Sequence, residues 1–253
     1  MTWALDLDGV LWRGDRPVPG SAGAVAALRA GGERLVFLTN NSYSRVDAFV
    51  AKLERCGVRA SADEIITSGQ AAASMLEPGT TALVCAGPGV VEALEAVGVV
   101  PVHEGSADAV VVGWHAEFDY SRLTAAVSAV LGGARLVGTN DDATYPTADG
   151  LIPGGGSLLA AVAYASGTTP AVAGKPNAAM VALVSARVGP VAVMVGDRPD
   201  TDGLLARELG ARYGLVLSGV TTDADLPVEP EPDLVAPDLA SVVGAWAGLR
   251  AQE

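Results

Sequence analysis

The chain has 253 residues, half of them hydrophobic and only 18% charged, with 16 Lys and Arg against 29 Asp and Glu. That length buries a substantial core in one large or two modest domains, and the composition excludes disordered and fibrous classes. A formal charge of −13 argues against nucleic acid or an anionic membrane as partner, because such surfaces need concentrated Lys and Arg. No run reaches the ~18 apolar residues of a membrane span, and no basic leader precedes the first acidic residues, so a soluble, cytoplasmic protein is expected. The two cysteines, Cys56 and Cys85, have neither C-x-x-C nor Cys/His spacing and read as ordinary buried thiols.

Short apolar strands alternate with helical patterns, which predicts an α/β fold with a largely parallel sheet. Trp3–Leu7 is the first strand, and Ser21–Ala30 follows as a helix capped by Ser21 and stopped by Gly31-Gly32. Arg34–Leu38 is the second strand. Ser44–Cys56 is the second helix, with Val46, Phe49, Val50 and Leu53 on one stripe. Pro78-Gly79 then breaks the chain and opens a second α/β set. It holds strands at Ala82–Cys85, Ala109–Val112 and Leu136–Gly138, with helices near Val90–Val97 and Ser121–Leu131. A helix ending at Ser166-Gly167 leads to a strand at Ala171–Ala173 and a helix from Asn177. Strand Val191–Val195, helix Thr201–Leu209, strand Gly214–Leu217 and helix Leu239–Leu249 complete the pattern.

Four of these strands end in polar groups. The first runs into Asp6-Leu7-Asp8-Gly9, the second into Thr39-Asn40-Asn41, the strand at 171–173 into Gly174-Lys175-Pro176, and Val191–Val195 into Gly196-Asp197 with Asp200 and Asp202 beyond. In one parallel sheet these ends share the edge where open α/β folds bind ligands. Each motif alone has a bland reading: a solvated turn for Asp-x-Asp, a cap for Thr39, a loop lysine for Lys175, a helix start for Asp197 with Asp202. Four together are much harder to explain by capping. Lys175 is also one of only two lysines, the other being Lys52.

The set Asp6-Leu-Asp8-Gly9-Val10-Leu11, Leu38-Thr39-Asn40-Asn41-Ser42, Gly174-Lys175-Pro176 and Gly196-Asp197-Arg198-Pro199-Asp200-Thr201-Asp202 resembles the four ordered motifs of haloacid dehalogenase-like (HAD) hydrolases. Thr139-Asn140-Asp141-Asp142 and Leu151-Ile152-Pro153-Gly154-Gly155-Gly156 resemble the TN-x-D and PG-x-G segments of the subclass IIA phosphatases. The resemblance covers nearly the whole chain. It implies a Rossmann-like parallel-sheet core over residues 1–78 and 171–253, with an α/β cap of the C2 type inserted at 79–170. Relatives often dimerise through the cap, although no exposed apolar patch is legible here.

The resemblance also implies the chemistry. A small phosphomonoester is the substrate and Mg²⁺ the cofactor, held by Asp6, Asp197 and the main-chain carbonyl of Asp8, because Mg²⁺ prefers oxygen ligands. Asp6 attacks phosphorus to form an aspartyl-phosphate. Asp8 protonates the leaving oxygen and then activates water. Thr39 and the amide of Asn40, with Asn41, hold phosphoryl oxygens. Lys175 neutralises charge, and Asp202 supports the metal from behind its direct ligands. Trp114 and His115 lie in Gly113–Tyr120, which resembles the subclass's specificity loop but carries His115 where relatives usually have Asp.

Other classes fit less well. The gap from Gly167 to Gly174 is too long for the glycines of a P-loop, and Lys175 is followed by proline rather than Ser or Thr. No G-x-S-x-G elbow is present. His103 and His115 are too few and too separate for a histidine metal site, and His103 reads as a surface residue. A non-turnover phosphoacceptor or binding module on the same scaffold is the competing class. Its phosphorylated Asp would follow a later strand, whereas Asp6 lies on the first.

Overall fold

Residues Thr2–Asp6 form a strand with all five side chains buried, as expected of an apolar run covered on both faces. In the computed structural model, which describes residues 1–147 and 150–250, this strand is central in a six-stranded sheet. Its order is Leu234–Ala236, Arg212–Val216, Val193–Gly196, Thr2–Asp6, Arg34–Thr39, Ile65–Thr67. Asp6 pairs in parallel with Leu38 on one side, and Leu5 with Val195 on the other. The chain builds from Thr2–Asp6 outward to 34–39 and 65–67, then returns to 193–196 on the opposite side. Strand order therefore reverses beside Thr2–Asp6, and the carboxyl ends at such a reversal open a ligand crevice. Asp6, Thr39 and Asp197 stand at those ends.

This sheet belongs to a compact unit of Met1–Thr39, Asp47–Ile66 and Val184–Glu253. Its core includes Trp3, Leu5, Phe37, Val193 and Val195, all essentially inaccessible. Trp3 meets Trp246 of the terminal helix Leu239–Arg250 edge to face, with ring centroids 5.5 Å apart. That geometry suits the opposed charge of ring edge and ring face.

A second unit comprises Asn40–Val46 and Thr67–Leu183. Its five-stranded sheet has the order Ala171–Val172, Arg135–Gly138, Ala109–Val112, Thr81–Cys85, Val100–Val102, with every pairing parallel. Leu83, Val110, Val112, Ala126, Leu136, Leu159 and Val162 form its core. Helix Gly155–Ser166 packs closely because Gly138 has no side chain; a Cβ there would overlap Leu159.

The α/β class and the parallel sheets are those expected. The strand expected at 171–173 does not join the sheet predicted for it. Ala171 and Val172 pair with Val137 and Gly138 in the second sheet, since a two-residue apolar run carries no signal of which sheet it will join. The compact units also divide the chain at 67 and 183, whereas sequence punctuation suggests 79 and 170. Ser21 is not the cap of its helix: left-handed Gly20 is, and the Ser21 hydroxyl donates to the Leu11 carbonyl at 3.3 Å. The helix expected from Thr201 starts as a π-helical turn, Pro199–Gly203, and continues as Leu204–Glu208. No helix among the described residues is long and apolar enough to cross a membrane.

Candidate active site

Asp6 ends its strand, Asp197 follows Val193–Gly196, and Asp202 sits in the turn Pro199–Gly203. One carboxylate oxygen from each lies within 4.8 Å of the other two, and the residues are 6, 3 and 1% exposed. Carboxylates at that separation repel one another, and a cation held among them would offset that repulsion. An all-oxygen donor set fits a hard divalent ion such as Mg²⁺ and not a soft one. Asp202, expected to support the metal from behind its direct ligands, brings a carboxylate oxygen close to those of Asp6 and Asp197. The Asp8 side chain stands outside that trio, its Oδ1 accepting the Trp12 indole N–H at 2.9 Å.

Glycines make room for these acids. A Cβ on Gly9 or Gly219 would overlap the Asp197 carboxylate, and one on Gly196 would overlap that of Asp202. Gly9 also has φ of +85°, a conformation few other residues adopt. Main-chain N–H groups of Val220 and Arg198 donate to Asp197 Oδ2 at 2.5 Å and Asp202 Oδ2 at 3.1 Å. Tyr213 carries no signal in the sequence. Its hydroxyl is buried and has no hydrogen-bond partner among the described residues. Burial, and then the charges of Asp202, Asp197 and Asp6, raise its pKa and keep it neutral.

Thr39, 2% exposed, ends its strand, and Asn40 is its neighbour in the chain. Asn40 is a hub in the second unit. Its Oδ1 accepts the Lys175 N–H at 2.8 Å, and its Nδ2 donates to the Lys175 carbonyl and to Asp142 Oδ2, both at 3.1 Å. Its carbonyl accepts from Ser68 Oγ at 2.6 Å and Asn140 Nδ2 at 2.7 Å. Lys175 is 2% exposed. Asn41 Oδ1 accepts the Tyr43 N–H at 2.9 Å, a local turn. The sequence gives Asn140 and Asp142 no role of their own; only their TN-x-D pattern marks them.

Trp114 stacks edge-on to Tyr43 at 4.9 Å and leans against Tyr145 at 6.1 Å. His115 Nδ1 accepts the Glu117 N–H at 3.0 Å, so the neutral ring carries its proton on Nε2. Burial first, then Arg122, lowers the His115 pKa, favouring that neutral form. His103, exposed as expected, joins His115, Asp119, Ser121 and Arg122 around a cavity of about 260 Å³.

Residues 3–100 match the family model described as haloacid dehalogenase-like hydrolase, and residues 172–242 the one described as HAD-hydrolase-like. Glycerol-3-phosphate phosphatase of Homo sapiens is 37% identical over 93% of this chain and 84% of its own length. The p-nitrophenyl phosphatase from Archaeoglobus fulgidus superposes with a TM-score of 0.90 at 29% identity, over 96% of this chain and 98% of the other. A glycerol phosphate phosphatase from Mycobacterium tuberculosis, solved in complex with magnesium, superposes with a TM-score of 0.88 at 35% identity, over 95% of this chain and 75% of the other.

Proposed function

The chain belongs to the haloacid dehalogenase-like hydrolases, and from that premise we propose that it is a Mg²⁺-dependent phosphatase of small phosphomonoesters working through an aspartyl-phosphate on Asp6. The observation that carries this reading is the buried trio of Asp6 and Asp197, at the carboxyl ends of central strands, and Asp202, in the turn Pro199–Gly203. A carboxylate nucleophile and a phosphate dianion repel each other, so the reaction needs their charge neutralised at close range. Asp6, Asp197 and the main-chain carbonyl of Asp8 would hold Mg²⁺, with Asp202 in support, and the ion would supply that neutralisation.

In this reading an Asp6 oxygen attacks phosphorus, and the bond from phosphorus to the leaving oxygen breaks as Asp8 protonates that oxygen. Asp8 then takes a proton from water, whose oxygen attacks the aspartyl-phosphate. Inorganic phosphate leaves and Asp6 is regenerated. Thr39 and the Asn40 amide hold phosphoryl oxygens, and Lys175 adds positive charge. The inserted unit is the cap, and its loop with Trp114 and His115 bears on the leaving group. Small polyol phosphates are the first substrates to try, since the human relative is named for glycerol 3-phosphate.

The test is release of phosphate from 4-nitrophenyl phosphate and from glycerol phosphates, with Mg²⁺, by the wild type and Asp6→Asn. Continuous turnover by the wild type and none by the nearly isosteric variant is expected. One phosphate retained per chain would turn the reading toward a phosphoacceptor module. Full turnover by Asp6→Asn would end the covalent mechanism.

A further inference from the structure

We propose that the Asn40 side chain and Asp142 position Lys175 and so act on the reaction through it, a role separate from that of the Asn40 main-chain amide. The inference rests on the reading that Lys175 supplies positive charge at the phosphoryl group. A lysine side chain has four rotatable bonds, so where its ammonium goes depends first on a fixed main chain. Asn40 supplies that fixture. Its side-chain amide pairs with both backbone groups of Lys175, accepting the N–H at 2.8 Å and donating to the carbonyl at 3.1 Å. This is how a strand neighbour holds a residue, here done by a single side chain.

Such a clasp works only if the amide cannot flip, since a flip would set Nδ2 against the Lys175 N–H. Asp142 enforces the orientation. Its Oδ2 accepts from Nδ2 at 3.1 Å, and a flipped amide would present Oδ1 to that carboxylate instead. A charged acceptor makes the preference stronger than a neutral one would. The main chain of Asn40 is held as well, its carbonyl accepting from Ser68 Oγ and Asn140 Nδ2. Gly174 completes the fit, because a Cβ there would run into Asn40 Oδ1 and the Thr139 carbonyl. The TN-x-D segment and the lysine are 33 positions apart from Asp142 to Lys175, yet they meet at the asparagine that follows Thr39.

The test compares Asp142→Ala, Asp142→Asn and Lys175→Met in kcat and KM for 4-nitrophenyl phosphate, in calorimetric affinity for inorganic phosphate, and in Tm. Asp142→Ala is expected to lower kcat and phosphate affinity by roughly tenfold to hundredfold, the scale of a lost hydrogen bond to a charged group, with Tm nearly kept. Asp142→Asn keeps an acceptor oxygen and is expected to recover most of both. A merely structural role would move Tm and leave phosphate affinity and kcat alone. Should Asp142→Ala not fold, Asn40→Asp carries the test. It keeps the acceptor for the Lys175 N–H but turns an oxygen toward the Lys175 carbonyl and Asp142, so the same losses are expected. Wild-type kcat and phosphate affinity in the folded variant, with Lys175→Met inactive, overturns the inference and leaves the catalytic reading standing. Full turnover by Lys175→Met overturns that reading, and the inference falls with it.

Discussion

Trp12 donates its indole N–H to Asp8 Oδ1 at 2.9 Å, joining a wholly buried ring to the acid assigned to proton transfer. The four-residue turn between them is closed by Gly9 donating to the Trp12 carbonyl at 2.7 Å, and the Lys52 ammonium lies 4.4 Å from the Trp12 ring centre. A donor fixed by core packing orients the carboxylate more firmly than water can. Trp12→Phe keeps most of the ring and removes the donor. It should lower kcat about tenfold with little change in KM, against about 10²–10⁴-fold for Asp8→Asn, the usual scale for a positioned acid–base. Steady-state kinetics decides, and an unchanged kcat in Trp12→Phe would show that Asp8 is oriented by something else.

The trio Asp6, Asp197 and Asp202 makes a prediction about stability as well as rate. Carboxylates with oxygens within 4.8 Å of one another repel, and a bound divalent ion would lower that repulsion. Asp202→Asn retains an oxygen for the Arg198 N–H and fits beneath Gly196 with little change of shape. Without metal it should melt higher than the wild type. With saturating Mg²⁺ its gain in Tm should be smaller than the wild type's. Thermal melts with and without chelator check this; equal Mg²⁺-induced gains in the two proteins would remove Asp202 from the metal site.

Much of this site is legible because apolar strands stop abruptly at functional residues. Asp6, Thr39 and Asp197 each follow a run that reads as buried strand, and the rules of parallel sheets then bring those ends to one edge. Other parts leave no such trace. Ala171–Val172 is too short to announce which sheet it joins, so that expectation fails. Asn40 and Asp142 are 102 positions apart, and nothing local in either motif names the other as partner. Tyr213 reads as an ordinary strand residue; only the folded chain buries its hydroxyl near carboxylates. The strand Ile65–Thr67 and helix Ser68–Ala73 escape notice because small residues give little periodic contrast.

Cys85 gives a pH-dependent prediction unconnected with catalysis. It is 1% exposed, and burial pushes its thiol from 9.0 to about 11, against a smaller opposing pull from Arg122. Below pH 9 the thiol is protonated in folded and unfolded chains alike, so it favours neither. Between pH 9 and 11 the unfolded chain loses this proton while the folded chain retains it, and stability falls. The loss is roughly 2–3 kcal/mol at most, at about 1.4 kcal/mol for each pH unit of that interval. Denaturation of wild type and Cys85→Ala across the same interval isolates the effect from other titrating groups. The wild type should lose more stability than the variant; parallel curves would show that the thiol ionises in place.

Selectivity is the last expectation, and it centres on His115. The Glu117 N–H occupies Nδ1 at 3.0 Å, and burial lowers the ring's pKa, so near neutral pH the ring offers Nε2–H as a donor. A hydroxyl-bearing leaving group can accept that proton, whereas 4-nitrophenyl phosphate asks little of it. His115→Ala should therefore reduce kcat/KM for polyol phosphates by roughly two- to tenfold, the scale of one neutral hydrogen bond, with a smaller effect on 4-nitrophenyl phosphate. His115→Gln, which returns an N–H donor, should restore part of the difference. Trp114 is expected to behave differently, since its contacts with Tyr43 and Tyr145 tie it to packing in its own unit. Trp114→Ala should cost stability and lower activity on all substrates alike. A uniform loss from His115→Ala would assign that residue to packing too, and no loss on any substrate would remove it from the site.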